Sequence, residues 1–123
     1  MEEIQVGEYI RLKDGLIGQF YNIEEGYDGN IIVNFEEFAY EYEDVKQFYE
    51  DILKHSKDII DLIEKNDYVN GYLVTDKYLL NGEITVLETT GDYKNAKCLC
   101  NGDIETILTK EMFEANCYKI KEK

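Results

Sequence analysis

Hydrophobic and polar positions along this chain change over in short runs rather than long stripes. Ile31-Ile32-Val33 and Ile84-Thr85-Val86-Leu87 are β-rich runs, each preceded by a turn signature, Asp28-Gly29-Asn30 or Asn81-Gly82. Asp14-Gly15 and Asn70-Gly71 punctuate the chain earlier in each half. Turn dipeptides flanked by short β-branched runs predict antiparallel hairpins. Alternation is clearest in Phe38-Ala39-Tyr40-Glu41-Tyr42-Glu43. There it places Phe38, Tyr40 and Tyr42 on one face of a strand and Ala39, Glu41 and Glu43 on the other. The aromatic face is expected to join a core, and the acidic face to meet solvent.

The pattern also repeats. Val6-Gly7-Glu8-Tyr9-Ile10 and Lys65-Asn66-Asp67-Tyr68-Val69 share a small or turn residue, an acid, a tyrosine and a β-branched residue, with the tyrosines 59 positions apart. Each half continues with a glycine turn, a strand, a second turn and a second strand. Tyr42 to Phe48 is matched with Thr109 to Glu114, each a short helical turn with an acidic start, which suits the positive end of a helix. Short final strands are expected near Ile52-Leu53-Lys54 and Cys117-Tyr118-Lys119-Ile120. Four or five short strands with one helical turn before the last is the pattern of a small SH3-like barrel. The expected fold is therefore mainly β with a short helix: two tandem SH3-like small barrels from an internal duplication, or one larger barrel. The units are expected at 1–54 and 66–123, with a connecting helix over 55–65. Ser56 can cap that helix, and Ile59, Ile60 and Ile63 share its apolar face. A single helix from Asp44 to Leu53 competes for the end of the first unit, because Val45, Phe48, Tyr49, Ile52 and Leu53 also fit a helical stripe.

Composition narrows the function. The 123 residues are 44 % hydrophobic and 13 % aromatic, enough for a core in one domain or two very small ones. Net charge is −14, and ten acids against the single base Lys46 lie between Glu24 and Asp51. Such a surface repels nucleic acid and membranes and attracts basic partners. No apolar run spans a bilayer, and the N-terminus lacks the basic start and apolar stretch of a signal peptide. A cytoplasmic location is expected. Cys98, Cys100 and Cys117 lack the usual zinc spacing and are expected as reduced, buried thiols, with His55 a remote fourth candidate ligand. His55 has no evident nucleophile or orienting partner. Neither a phosphate-binding glycine loop nor a D-x-D-x-D-G loop occurs. No enzyme activity, metal or cofactor is expected.

The run Lys54-His55-Ser56-Lys57-Asp58-Ile59-Ile60-Asp61-Leu62-Ile63-Glu64, continuing through Lys65-Asn66-Asp67-Tyr68-Val69-Asn70-Gly71, resembles a recurrent segment of small accessory proteins from phages and prophages of low-GC Gram-positive bacteria. Gly7 to Arg11 and Thr109 to Glu114 resemble the start and end of the same proteins. The sequence departs from them at Asn66, where glycine is more usual, and in the acidic block. The resemblance implies an accessory protein of a mobile element, acting in the host bacterial cytoplasm. Small acidic proteins of that kind are often inhibitors of host defence, including anti-CRISPR proteins.

The expected function is thus a non-enzymatic acidic inhibitor of a basic, nucleic-acid-handling host protein, blocking nucleic-acid access. Glu36, Glu37, Glu41, Glu43 and Asp44 are the expected contacts, with Tyr27 or Tyr42 as anchors. Carboxylates at every second strand residue lie about 6.5–7 Å apart, roughly the spacing of successive phosphates. The alternatives are a phage assembly or adaptor module that binds a protein or peptide, and a sponge for a nucleotide signal. The sponge would depend on Arg11, Lys13, Lys94 and Lys97 as cationic donors.

Overall fold

In the computed structural model, which describes residues 4–78, 83–87 and 97–116, the chain divides into two units, Met1–Leu62 and Ile63–Lys123. The fold is mainly β, with one five-stranded sheet in each unit among the described residues.

The first unit runs β1 (Tyr9–Leu12), β2 (Ile17–Glu25), β3 (Ile31–Phe35), β4 (Ala39–Tyr42), α1 (Val45–Asp51), β5 (Ile52–Ser56) and a 3₁₀ turn at Ile59–Leu62. Its sheet order is β4-β3-β2-β1-β5, with every neighbouring pair antiparallel. The predicted turns form for the predicted reasons. Asp14 Oδ1 accepts from the Leu16 N–H at 3.0 Å, and Gly15 takes φ +94°. Asp28 and Gly29 both adopt positive φ, which Asp tolerates and glycine favours. β2 pairs first with β1 and then with β3. A register shift between Phe20 and Asn22 leaves Tyr21 as an extra residue, and such a bulge bends the strand.

Asp44 caps α1, its Oδ1 accepting from the Gln47 N–H at 2.8 Å. The helix stops at Asp51 because Ile52, Lys54 and His55 pair with Leu12, Arg11 and Ile10 of β1. The single helix from Asp44 to Leu53 is therefore not formed. The connecting segment differs from the helix expected over 55–65: His55 and Ser56 complete β5, and only Ile59–Leu62 is helical, as 3₁₀. Ser56 does cap, its Oγ accepting from the Asp58 N–H at 3.1 Å. At the far end of the turn the Leu62 carbonyl accepts from Arg11 Nη1 at 2.9 Å, so a buried side chain holds the turn closed.

Phe48 is the apolar anchor of this unit, with no exposed surface. The rings of Phe20, Phe35, Tyr42 and Tyr49 lie around it, with centroids 5.4–6.5 Å away. Ile4, Ile10, Leu12 and Val33 complete the cluster.

The second unit runs β6 (Tyr68–Val69), β7 (Tyr72–Tyr78), β8 (Glu83–Leu87), β9 (Lys97–Cys100), a 3₁₀ turn at Asn101–Asp103, β10 (Ile107–Leu108) and α2 (Lys110–Asn116). Its order, β10-β6-β7-β8-β9, places the last strand beside the first, as in the other unit. Asn70 and Gly71, both at positive φ, make the two-residue hairpin between β6 and β7. Asn70 Oδ1 also accepts from the N–H groups of Glu105 and Thr106, at 2.8 and 3.0 Å. Asn81-Gly82 and Cys117 to Ile120 lie outside the described residues.

The likeness extends to single hydrogen bonds. In the first unit the Gly7 N–H donates to the Phe20 carbonyl, Phe20 N–H to Glu8, and Glu8 N–H to Gln5, at 2.8–3.1 Å. In the second unit Asn66 N–H donates to Val74, Val74 N–H to Asp67, and Asp67 N–H to Glu64, again at 2.8–3.1 Å. The Glu8 and Asp67 carboxylates each accept from the N–H three residues back, at 2.6 and 2.7 Å. Gly7 and Asn66 both take positive φ, +94° and +79°. A register shift follows Val74 as it follows Phe20.

One expected correspondence is corrected. α1 precedes the last strand of its sheet, whereas α2 follows it. Tyr42 to Phe48 and Thr109 to Glu114 are thus not at equivalent places. The 3₁₀ turn Asn101–Asp103 takes the place of α1, and α2 takes that of Ile59–Leu62. The sequences then align as Ser56-Lys57-Asp58-Ile59-Ile60 and Thr109-Lys110-Glu111-Met112-Phe113. Thr109 caps as Ser56 does, its Oγ1 accepting from the Met112 N–H at 3.3 Å.

Candidate interaction surface

The acidic block folds into the second half of the first sheet, and the register of that sheet decides which acids stand together. Glu24 of β2 pairs with Ile32 of β3, which pairs with Glu41 of β4. Directly opposed residues share a face, so Glu24, Ile32 and Glu41 form one row across the sheet. Both carboxylates are exposed and Ile32 lies half-buried between them. The next row is Asn22, Asn34 and Ala39, with Asn34 Nδ2 donating to Asn22 Oδ1 at 2.8 Å. The other face of β4 carries Tyr40 and Tyr42 inward, as the alternation predicts.

The expected contact residues divide into two groups. Glu36 and Glu37 occupy the β3–β4 loop, both exposed. Glu37 Oε2 accepts from the Gln19 N–H at 3.0 Å. Glu43 and Asp44 lie beyond the other end of β4, roughly 13 Å away along a four-residue strand. Asp44 is engaged as the cap of α1. Glu41 stands between the groups and accepts from Asn30 Nδ2 at 2.7 Å. Tyr27, 87 % exposed, projects from the β2–β3 turn at the same end of the sheet as Glu43.

Tyr42 is the exception. It is buried, packs on Phe48, and donates its hydroxyl to Asp51 Oδ2 at 2.6 Å. Its side chain belongs to the core and offers no area to a partner, because its place in the period-two pattern turns it inward. Tyr40 donates likewise to Asp14 Oδ2 at 2.9 Å. Burial, with the hydrogen bond to Asp14 and the charges of Asp14 and Asp51, pushes the Tyr40 phenol up to about 12. The Tyr42 phenol is raised for the same kinds of reason, burial first and Asp51 second.

Glu24 and Ile32 were missed as members of the surface. The charge run already included Glu24. Its alignment with Glu41 depends on the bulge at Tyr21, which no local pattern announces.

The other candidates fall elsewhere. Arg11 is fully enclosed, so it is not a donor for a nucleotide. Lys13 lines a groove with Tyr42, Gln47, Glu50 and Asp51. Lys94 and Cys117 lie outside the described residues, as do the side chains of Lys97 and Cys98. Cys100 is exposed, contrary to the expectation of a buried thiol. His55 Nδ1 lies 3.1 Å from Glu8 Oε1. Burial raises the Glu8 carboxyl, but the Gln5 N–H, His55 and the charge of Lys57 outweigh it and hold that carboxyl below its ordinary value. Among the described residues, no three His, Cys, Asp or Glu side chains gather to hold a metal, and no helix is long and apolar enough to cross a membrane.

No protein-family model, curated protein or solved structure matches the chain.

Proposed function

We propose that the protein is a non-enzymatic inhibitor that binds a basic, nucleic-acid-handling host protein and blocks its access to nucleic acid, with an anti-CRISPR role as the most specific form. The observation that carries this reading is the exposed row Glu24–Ile32–Glu41, with exposed Glu43 just past the end of β4. Glu24 lies two strands, roughly 10 Å, from Glu41. Lys46 is the only base between Glu24 and Asp51. A rigid sheet presenting carboxylates at such spacings can occupy a groove lined by Lys and Arg. Tyr27 adds exposed aromatic area at one end, where it can slow dissociation.

For the fold we propose two tandem SH3-like units that arose by duplication. Its support is the shared strand order, the shared bulge, and the paired turns at Gln5–Glu8 and Glu64–Asp67.

The test uses positions whose carboxylates are not committed to caps. Changing Glu24, Glu36 and Glu43 together to Lys leaves the Asp44 cap and the Glu37–Gln19 bond in place. Binding to a basic nucleic-acid effector from the host should associate at least about tenfold more slowly in this variant, and should weaken in the parent as salt rises. Salt-independent binding, or unchanged association by the variant, would falsify the electrostatic reading.

An adaptor role is the second reading, favoured by one feature of the second unit. Tyr68 and Phe113 pack with ring centroids 5.3 Å apart, and Phe113 and Leu108 remain 43 % and 44 % exposed. Leu108 belongs to β10, which ends the sheet order, a place where an extended peptide can dock. Loss of a partner on Phe113→Ala, with retention on the triple lysine change, separates this reading from the first.

A further inference from the structure

The first unit holds sixteen acidic and five basic residues, a net −11, yet its cations are unevenly placed. Arg11 is enclosed in the core, Lys13 stands among Glu50 and Asp51, and Lys57 is exposed just after β5. Lys46 and Lys54 line a single groove of about 320 Å³, together with His55, the only histidine of the chain. Lys46, Tyr49 and Glu50 reach it from one side of α1, being three and four residues apart. Ile52, Leu53, Lys54 and His55 line the other side. Successive strand side chains point to opposite faces, so a groove touching four in a row follows the edge of β5 rather than one face.

Its chemistry is mixed in a specific way. Tyr49, Ile52 and Leu53 supply apolar surface, and Leu53 is 42 % exposed. Two ammonium groups and an imidazole border that surface, against the single carboxylate of Glu50. The imidazole is oriented by Glu8, a buried carboxylate itself fixed by the Gln5 N–H at 2.6 Å. The volume falls at the small end of the range of about 300–1,000 Å³ typical of small-molecule sites.

We propose that this groove binds a small aromatic anion, its ring against Tyr49 and Leu53 and its phosphate or carboxylate among Lys46, Lys54 and His55. The proposal shares no residue with the acidic row and stands apart from the inhibitor reading. It also carries the opposite salt signature. The net charge of the chain repels an anion at long range, whereas the contacts in the groove attract it at short range. Added salt screens the long-range part first, so affinity holds or rises with salt.

The test is an amide NMR titration of the full chain with adenosine monophosphate and with phenylacetate, using adenosine and inorganic phosphate as half-ligands. Saturable shifts at Tyr49, Leu53 and Lys54 are expected with at least one of the two ring anions, and the anion that produces them tells phosphate from carboxylate recognition. Each half-ligand should bind more weakly. Lys46→Glu, an exposed change on α1 whose fold is checked by the dispersion of the amide spectrum, should weaken binding by about tenfold or more. The proposal is overturned if neither ring anion gives saturable shifts at those amides, if inorganic phosphate binds as tightly as adenosine monophosphate, or if Lys46→Glu binds as the parent does.

Discussion

Gly18 shows how closely the first core is packed. A Cβ built on it would lie 2.9 Å from the rings of both Phe35 and Phe38. Gly18→Ala should cost about 1–3 kcal/mol through this overlap, seen as a lower midpoint in urea unfolding. Asn66 presents the reverse case. Its φ of +79° is the conformation Gly7 adopts at the equivalent turn, where only glycine avoids a steric cost. Asn66→Gly should therefore match or raise stability, by up to about 1 kcal/mol, and a clear loss in thermal unfolding would assign the asparagine side chain a role of its own. Two ionisations bound the pH range. Tyr40 keeps its proton more firmly when folded, so its stabilising contribution is intact below about 10 and is lost as pH rises from there through about 12. Tyr40→Phe should flatten that alkaline loss. Glu8 behaves in the opposite sense: its contribution is present above the ordinary carboxyl range and is lost as pH falls through its lowered value. Glu8→Gln should reduce the acid sensitivity of unfolding.

At the scale of elements, α1 depends on one side chain. Seven residues are too few to hold a helix in water, and Phe48 is the only buried member. Phe48→Ala should cost about 3–5 kcal/mol and remove the near-UV dichroism of the ring cluster, since four other aromatic rings pack around it. The strands of the first unit were legible because each is a local period-two pattern bounded by a turn residue, whereas β10, only two residues long, was not. The repeated start was legible because Gly7-Glu8-Tyr9 and Asn66-Asp67-Tyr68 perform the same backbone work. The helices misled because an acidic helical start looks alike wherever it falls. Only pairing with β1 or β6 shows which turn precedes the closing strand. The row Glu24–Ile32–Glu41 was illegible for a related reason. A one-residue bulge exchanges the faces of a strand, and the bulge at Tyr21 leaves no mark in composition.

Across the whole chain the charge is divided unequally, −11 on the first unit and −3 on the second. Self-repulsion of that size opposes compaction and is screened by salt. Thermal unfolding followed by NMR, unit by unit, should show the first unit gaining more from added salt than the second. The bond between Arg11 and the Leu62 carbonyl bears on how the first unit comes into being. It joins positions 51 residues apart, and it belongs to an arginine with no exposed surface. During synthesis the four leading strands can emerge and pair as successive hairpins, but the acceptor for that guanidinium is the last residue of the unit to leave the ribosome. Until then, enclosing Arg11 strips its charge of water without this carbonyl to replace it. Completion is therefore coupled to a late event, and a nascent chain halted a few residues short should be more protease-sensitive than the finished unit even though nearly all of its sheet has been translated.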